Sequence, residues 1–183
     1  MSIRNTSTSI TEPVTVAELQ AHGQIDGDDS YLTGLIIAAR RIAESEIGRI
    51  IPVQQYTWIF NGLEDGIELP VYPVASITSI TYQDTAGAPQ TIAGSAYQIV
   101  DHALTQKLHS VDGWPDLEDG TYNRVTVVLS AGASTVEADI KQAIMMIALG
   151  LYENRNDQVI GTIVSKLDMG SKSLLSAYKR YAF

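Results

Sequence analysis

The chain has no cysteine among its 183 residues. A disulfide framework and a thiolate metal site are therefore excluded, and the composition fits a reducing compartment. Long apolar runs are missing too. The longest, Ala143 to Tyr152, spans ten residues, about half of what a bilayer-crossing helix needs. Residues 1–11 are polar and rich in Ser and Thr, without the apolar core of a signal peptide. The sequence thus predicts a soluble protein. Positive charge is scarce: 12 Lys and Arg stand against 21 Asp and Glu, a net charge of −9. Such a balance argues against tight duplex binding, which needs cations on phosphates. Lys and Arg are not interleaved with aromatics, so a stacking platform for single strands is not expected. Gly-rich phosphate loops, nucleophile elbows and paired-histidine helices are all absent.

What is present is a globular composition, 45% hydrophobic and 18% charged, enough to bury a core. The charge is unevenly placed. Residues 50–123 hold one cation, Lys107, against nine carboxylates, whereas residues 124–183 hold seven cations against five. Lys166, Lys172, Lys179 and Arg180 make the last stretch basic. This polarity bears on partners and association rates, or reflects ordinary surface solubility.

Two amphipathic helices frame the chain. The first is predicted over about Asp29 to Ile47, with Leu32, Leu35, Ile36, Ala39, Ile42, Ala43 and Ile47 at helical spacing. Arg40, Arg41, Glu44 and Glu46 fall outside that stripe, and Gly48 ends it. The second is predicted over about Thr135 to Arg155, opened by a capping box at Ser134-Thr135-Val136-Glu137. Ile140, Ala143, Ile144, Ile147, Ala148, Leu151 and Tyr152 form one side, while Met145, Met146 and Leu149 point elsewhere. A helix apolar most of the way round is buried by more than one neighbour. Either a central core or a second subunit supplies the cover. A short helix from Thr15-Val16-Ala17-Glu18, a second capping box, runs to about His22 and stops at Gly23.

Between the long helices the period changes to two. Gln55–Phe60, Ile67–Leu69, Ile77–Tyr82, Tyr97–Val100 and Val125–Leu129 read as strands. Asn61-Gly62, Asp65-Gly66, Ala86-Gly87 and Asp112-Gly113 supply turns, and Pro70 and Pro73 bracket a connection. A small antiparallel sheet or half-barrel is expected. The fold class is α+β: a small helical bundle with a strand-rich antiparallel insertion between the long helices. The expected divisions are a flexible 1–11, a helical body of 12–49 and 133–156, an insertion of 50–132, and a tail of 157–183. In that tail, after Gly161 and Gly170, Leu174, Leu175, Tyr178 and Tyr181 suggest a short amphipathic helix.

Candidate chemistry is thin. Asp26-Gly27-Asp28-Asp29 could open a calcium loop, but Tyr31 and Ile37 stand where Gly and Glu are required. An Asp capping the following helix explains the run better. His22 sits at a helix end. His102 and His109, near Asp101, match no metal-ligand spacing. Asp112, Asp116, Glu118 and Asp119 surround Trp114-Pro115. Such carboxylates beside a tryptophan allow carbohydrate chemistry, with a solvated acidic loop as the simpler reading. No cofactor, no metal and no catalytic residue is assigned.

Motifs in order along the chain resemble the head–tail connector (adaptor, or head-completion) proteins of long-tailed bacteriophages, prophages and gene transfer agents. They are Glu12 to Glu18, Asp26 to Asp29, Ala38-Ala39-Arg40, Ile47-Gly48-Arg49, Glu68-Leu69-Pro70 with Pro73-Val74, and Ile77 to Tyr82. Gly113-Trp114-Pro115, Val125 to Gly132, Ile140 to Ile144, and Tyr152-Glu153-Asn154-Arg155 complete the series. Departures exist: the family's proline before Ile-Lys-Gln is Ala138 or Asp139 here, and its tryptophan before Tyr-Glu-Asn-Arg is Leu151. The resemblance implies a non-enzymatic virion protein in the particle neck, assembled in the bacterial host cytoplasm. Its subunits would form a ring, a dodecamer in the particle, under the portal protein. The ring would extend the DNA channel, let DNA pass without specific binding, and offer a platform to a tail-side component, a stopper or tail terminator. On this reading Met145, Met146, Leu149, Tyr152, Glu153 and Arg155 are expected at subunit contacts. Lys172, Leu174, Leu175, Tyr178, Lys179, Arg180 and Tyr181 are expected to dock on the portal. Rival readings are another neck protein such as a tail terminator, a carbohydrate-active enzyme, or a monomeric binding module.

Overall fold

The computed structural model describes residues 1–102, 105–117, 122–154 and 169–180. They divide into two compact units. Met1–Ile10 and Val53–Ser134 belong to a strand unit, and Thr11–Pro52 with the described part of 135–180 to a helical unit. The class is α+β, with a strand-rich segment between the two long helices.

The helical unit holds α1 (Val16–Gly23), α2 (Asp29–Ile47), α3 (Ala138–Glu153) and α4 (Met169–Ser176). The expected box at Thr15 opens α1: its Oγ1 accepts from Glu18 N at 3.2 Å, and Glu18 Oε2 accepts from Thr15 N at 2.7 Å. The Thr15 backbone N–H foremost, then the Thr15 hydroxyl donating to Oε2 at 2.8 Å, hold the Glu18 carboxyl below the usual carboxylate range. Gly23 does not stop the helix, as the sequence suggested; it is the last helical residue, and Gln24 takes the left-handed turn at φ 49°. Gly23 also lies close under the Leu149 side chain, whose end would have to shift to admit a β-carbon there.

Asp28 caps α2, accepting from Ser30 N at 2.8 Å and Tyr31 N at 3.0 Å. The acidic run therefore serves as a cap. Gly48, at φ 67°, closes α2. The box expected at Ser134 does not form. Val136 packs on the helical core, the helix begins beyond it at Ala138, and Glu137 stands at the cap without a side-chain bond. Leu19, Leu32, Ile36, Ala39, Ala43, Ile47, Ile140, Ala143, Ile144, Ala148 and Leu175 bury together as the core of this unit.

The strand unit contains two antiparallel sheets. One has five strands in the order β1-β2-β8-β4-β5: β1 (Ser2–Asn5), β2 (Gln54–Phe60), β8 (Val125–Ala131), β4 (Val74–Gln83) and β5 (Pro89–Ile92). The other orders β3 (Ile67–Glu68), β7 (Thr105–Ser110) and β6 (Tyr97–His102) as β3-β7-β6. The alternation read from sequence sets the inner face. Val125, Val127 and Leu129 are buried, with Trp58 opposite Val127 and Ile80 on its other side. Trp58 and Phe60 stack at 3.9 Å between ring centroids.

Residues 2–5, expected to be flexible, form β1 along β2 instead. Main-chain pairing fixes them although all four side chains are exposed, so hydropathy carried no signal. Buried Gln106 accepts from Val74 N at 2.6 Å, an amide holding a strand end by its side chain. Among the described residues no helix is long and apolar enough to cross a membrane.

Candidate assembly surfaces

Arg40 is the most constrained charged group. It was expected outside the apolar stripe, yet it is 2% exposed. Its Nε donates to Glu12 Oε2 at 2.7 Å and its Nη1 to Glu44 Oε2 at 2.7 Å. The other Glu44 oxygen accepts from Ile51 N at 3.0 Å. Burial works against the guanidinium charge, but the two carboxylates outweigh it and raise its pKa. Two separate motifs, Glu12-Pro13 and Ala38-Ala39-Arg40, thus meet in one internal ion pair.

The residues expected at subunit contacts divide. Met145, Leu149, Leu151 and Tyr152 are half-buried against the helical core. Leu149 presses on Gly23 of α1, and a β-carbon at Gly170 of α4 would stand 2.7 Å from Met146 Cε. The apolar surface that runs round α3 is therefore covered substantially by the chain's own helices. Tyr152 donates its hydroxyl to Asp26 O at 3.2 Å and lies 6.2 Å from the Tyr31 ring. Glu153 is exposed. Arg155 lies outside the described residues.

The residues expected to dock on the portal divide in the same way. Leu175 is fully buried, and Leu174 and Tyr178 pack on the core. Lys179 Nζ donates to Glu46 Oε1 at 2.9 Å, and Arg180 N donates to Ile47 O at 2.7 Å. The Tyr178 hydroxyl donates to Asp139 at 3.4 Å; burial and the nearby carboxylates push its pKa up. The apolar side of this segment, expected to lack a cover, is thus seated on α2 and α3. Lys172 remains exposed, and Tyr181 lies outside the described residues.

In the strand unit, the His109 ring pairs with Asp65 at 3.1 Å, and Asp65 also accepts from Ser110 N at 3.0 Å. The Ser110 bond foremost, then His109, holds the Asp65 carboxyl below its usual range. His102 is 6.1 Å from His109 ring to ring. Among the described residues, no group of three His, Asp or Glu could hold a metal ion. Asp112 and Asp116 are exposed, while Glu118 and Asp119 lie outside the described residues. Sequence reasoning missed the exposed apolar side chains Ile3, Tyr31, Val53, Val111 and Tyr122. Their signal was position: each stands off a stripe or beyond an element's apolar face.

No protein-family model matches the chain, and no curated protein sequence does. Solved structures do match in fold. A chain of "Neck of empty GTA particle computed with C6 symmetry" superposes at TM-score 0.81 with 20% identity, covering 100% of this chain and 97% of that one. A chain of "Virion of native gene transfer agent (GTA) particle" gives the same values. A chain of "Neck of native GTA particle computed with C12 symmetry" gives TM-score 0.79 at 20% identity, again over 100% and 97%. The shared fold therefore spans both units.

Proposed function

We propose that this protein is a structural subunit of the neck of a phage-like particle. Copies form a ring under the portal, join head to tail and extend the DNA channel. The observation that carries this reading is the likeness in fold, over 100% of the chain, to chains of gene transfer agent neck structures. The charge supports it. A net −9 surface repels phosphates, so DNA slides through without adhering. A heterologous contact that closes by rotation makes a ring. The likeness is to particle components, which favours a structural role over catalysis.

Within this reading, exposed Glu153 and the Tyr31–Tyr152 edge contribute to contacts between copies. The portal meets the exposed side of the C-terminal segment at Lys172. The buried Leu175 and Ser171 hold that segment to its own body, so removing residues 171–183 would damage the fold and report nothing about docking. Charge reversal by Lys172→Glu is the cleaner probe. It should weaken portal binding while the fold stays intact; unchanged affinity would remove Lys172 from the interface. The role as a whole is tested by electron microscopy of the protein mixed with its portal. A ring stacked on the portal is expected. Binding at the end of a tail tube, with no affinity for the portal, would make it a tail terminator instead.

A further inference from the structure

The strand β1 is an unusual part of its unit. Ser2–Asn5 pair with Ile59, Trp58, Thr57 and Tyr56 of β2 in strict antiparallel register, and Thr6 N extends the ladder to Gln55 O at 2.8 Å. Yet all four side chains of the strand are exposed. What seats β1 is main-chain pairing plus polar side-chain contacts: Asn5 Nδ2 to Gln54 Oε1 at 2.7 Å, Thr6 to Thr57, and Gln55 N to Ser7 Oγ at 2.8 Å. It is the outermost strand of the five, with β2 its only strand neighbour among the described residues.

The connection is as informative as the pairing. After Ile10 the chain leaves the strand unit for the helical unit and returns at Val53. The strand is thus joined to β2 through residues 6–53, of which Thr11–Pro52 belong to the helical unit, rather than through a hairpin. Residues 1–10 also hold one arginine, Arg4, and no carboxylate. The sheet that receives them belongs to the acidic half of the sequence, where residues 50–123 have only Lys107 against nine carboxylates.

We propose that β1 is exchanged between neighbouring copies in the assembled ring, each copy's residues 2–5 adding to the β2 edge of the next. This rests on the ring reading above. The physical case is that exchange recreates every hydrogen bond of the closed form in the same register, so the two forms differ little in contacts. An outer strand without buried side chains leaves no cavity behind when it moves. The vacated β2 edge accepts the same four residues from a copy. Each exchange returns one Arg4 to every acidic unit, so the charge pairing of the closed form is kept across copies. The occupant of the β2 edge is therefore a second copy of this chain.

The test uses paired cysteines in a chain that has none. Arg4 and Thr57 are register partners, with Cα atoms about 5.5 Å apart as in a hydrogen-bonded antiparallel pair, inside the range a disulfide spans. The full-length double variant Arg4→Cys/Thr57→Cys is oxidised twice: as a dilute monomer, and after ring assembly on the portal, with native mass measured on the same samples. Ser2→Cys/Ile59→Cys is a second register pair should the first disturb the fold. Expected is a 19.8 kDa band from the monomer and a ladder of its multiples from the ring on non-reducing gels. A ring that yields only the monomer band overturns exchange and leaves the ring standing. A chain that stays monomeric beside its portal overturns the ring, and exchange with it.

Discussion

The helical and strand units solve the same problem with different materials. The helical unit closes on side chains: an apolar core from all four helices, sealed by Arg40 between Glu12 and Glu44. The strand unit has its own buried face around Trp58 and Val127, but it closes its margins on main chain. Its outer strands, β1 and β5, add one buried side chain between them, Ile92. A unit held by side chains is sensitive at single positions. A unit held at its margins by backbone pairing tolerates substitution there, but its margins can re-pair elsewhere. Single-position sensitivity therefore belongs to both interiors, and adaptable edges to the sheets.

Both tryptophans, Trp58 and Trp114, lie in the strand unit, so their fluorescence reports that unit while far-ultraviolet circular dichroism follows the helices. Arg40→Ala should give the largest loss, about 3–5 kcal/mol, because it leaves carboxylates inside without a counterion. Urea unfolding followed by dichroism measures it, and Arg40→Met should cost less than Arg40→Ala because it refills part of the volume, though both carboxylates still lose their counterion. A fluorescence midpoint that falls by the same amount would break the comparison, showing one cooperative body. Trp58→Ala, emptying the stacked site beside Phe60, should cost about 3–5 kcal/mol in the strand unit. It is read by dichroism at strand wavelengths and by hydrogen exchange of β2 and β8. Leu175→Ala should cost about 2–5 kcal/mol in the helical unit, with exchange rising in α3 and α4 and unchanged in the sheets. Thr15→Ala, removing one half of the α1 box, should cost about 1 kcal/mol.

The smallest effect sharpens the contrast through pH. The Asp65 carboxyl is held below its ordinary value of 3.8 by Ser110 and His109. A carboxyl lowered in the folded state adds stability that is complete above its unfolded pKa and lost as the pH falls through the folded one. Asp65→Asn should therefore flatten the acid limb of stability below about pH 4 in the strand unit and leave the helical unit's limb unchanged. Acid titration of both signals checks it.

How much of this was legible depended on whether side chains or main chain did the holding. The stripe Leu32-Ile36-Ala39-Ala43-Ile47 placed α2, and Val125-Val127-Leu129 placed β8, because burial wrote itself into hydropathy. β1 and β5 were invisible for the opposite reason, and β7 gave little signal: Thr-Gln-Lys-Leu-His-Ser offers a single apolar residue, Leu108. Arg40 was misplaced because a charge inside a core is legible only with its partners, and Glu12 lies 28 positions away. The same limit governed the surfaces. An apolar face on α3 and a tail with Leu174 and Leu175 suggested surfaces awaiting partners, but intramolecular cover is a tertiary fact. Which acidic or aromatic groups remain outside, such as Tyr31 and Glu153, emerges only once the core has claimed the rest.

One register pair carries a consequence for how such a chain could have arisen. Gln54 at the start of β2 lies directly opposite Ala131 at the end of β8, so the segment between them begins and finishes at neighbouring points. A stretch whose ends lie about 5 Å apart can be cut out and closed by a tight turn, or spliced into a host loop, without stretching the chain on either side. The stretch from β2 to β8 is therefore close to a portable cassette, tied to the rest of the chain by its two ends and by the pairing of β1 with β2. Lineages could lengthen, trade or discard it while the four helices keep their own packing.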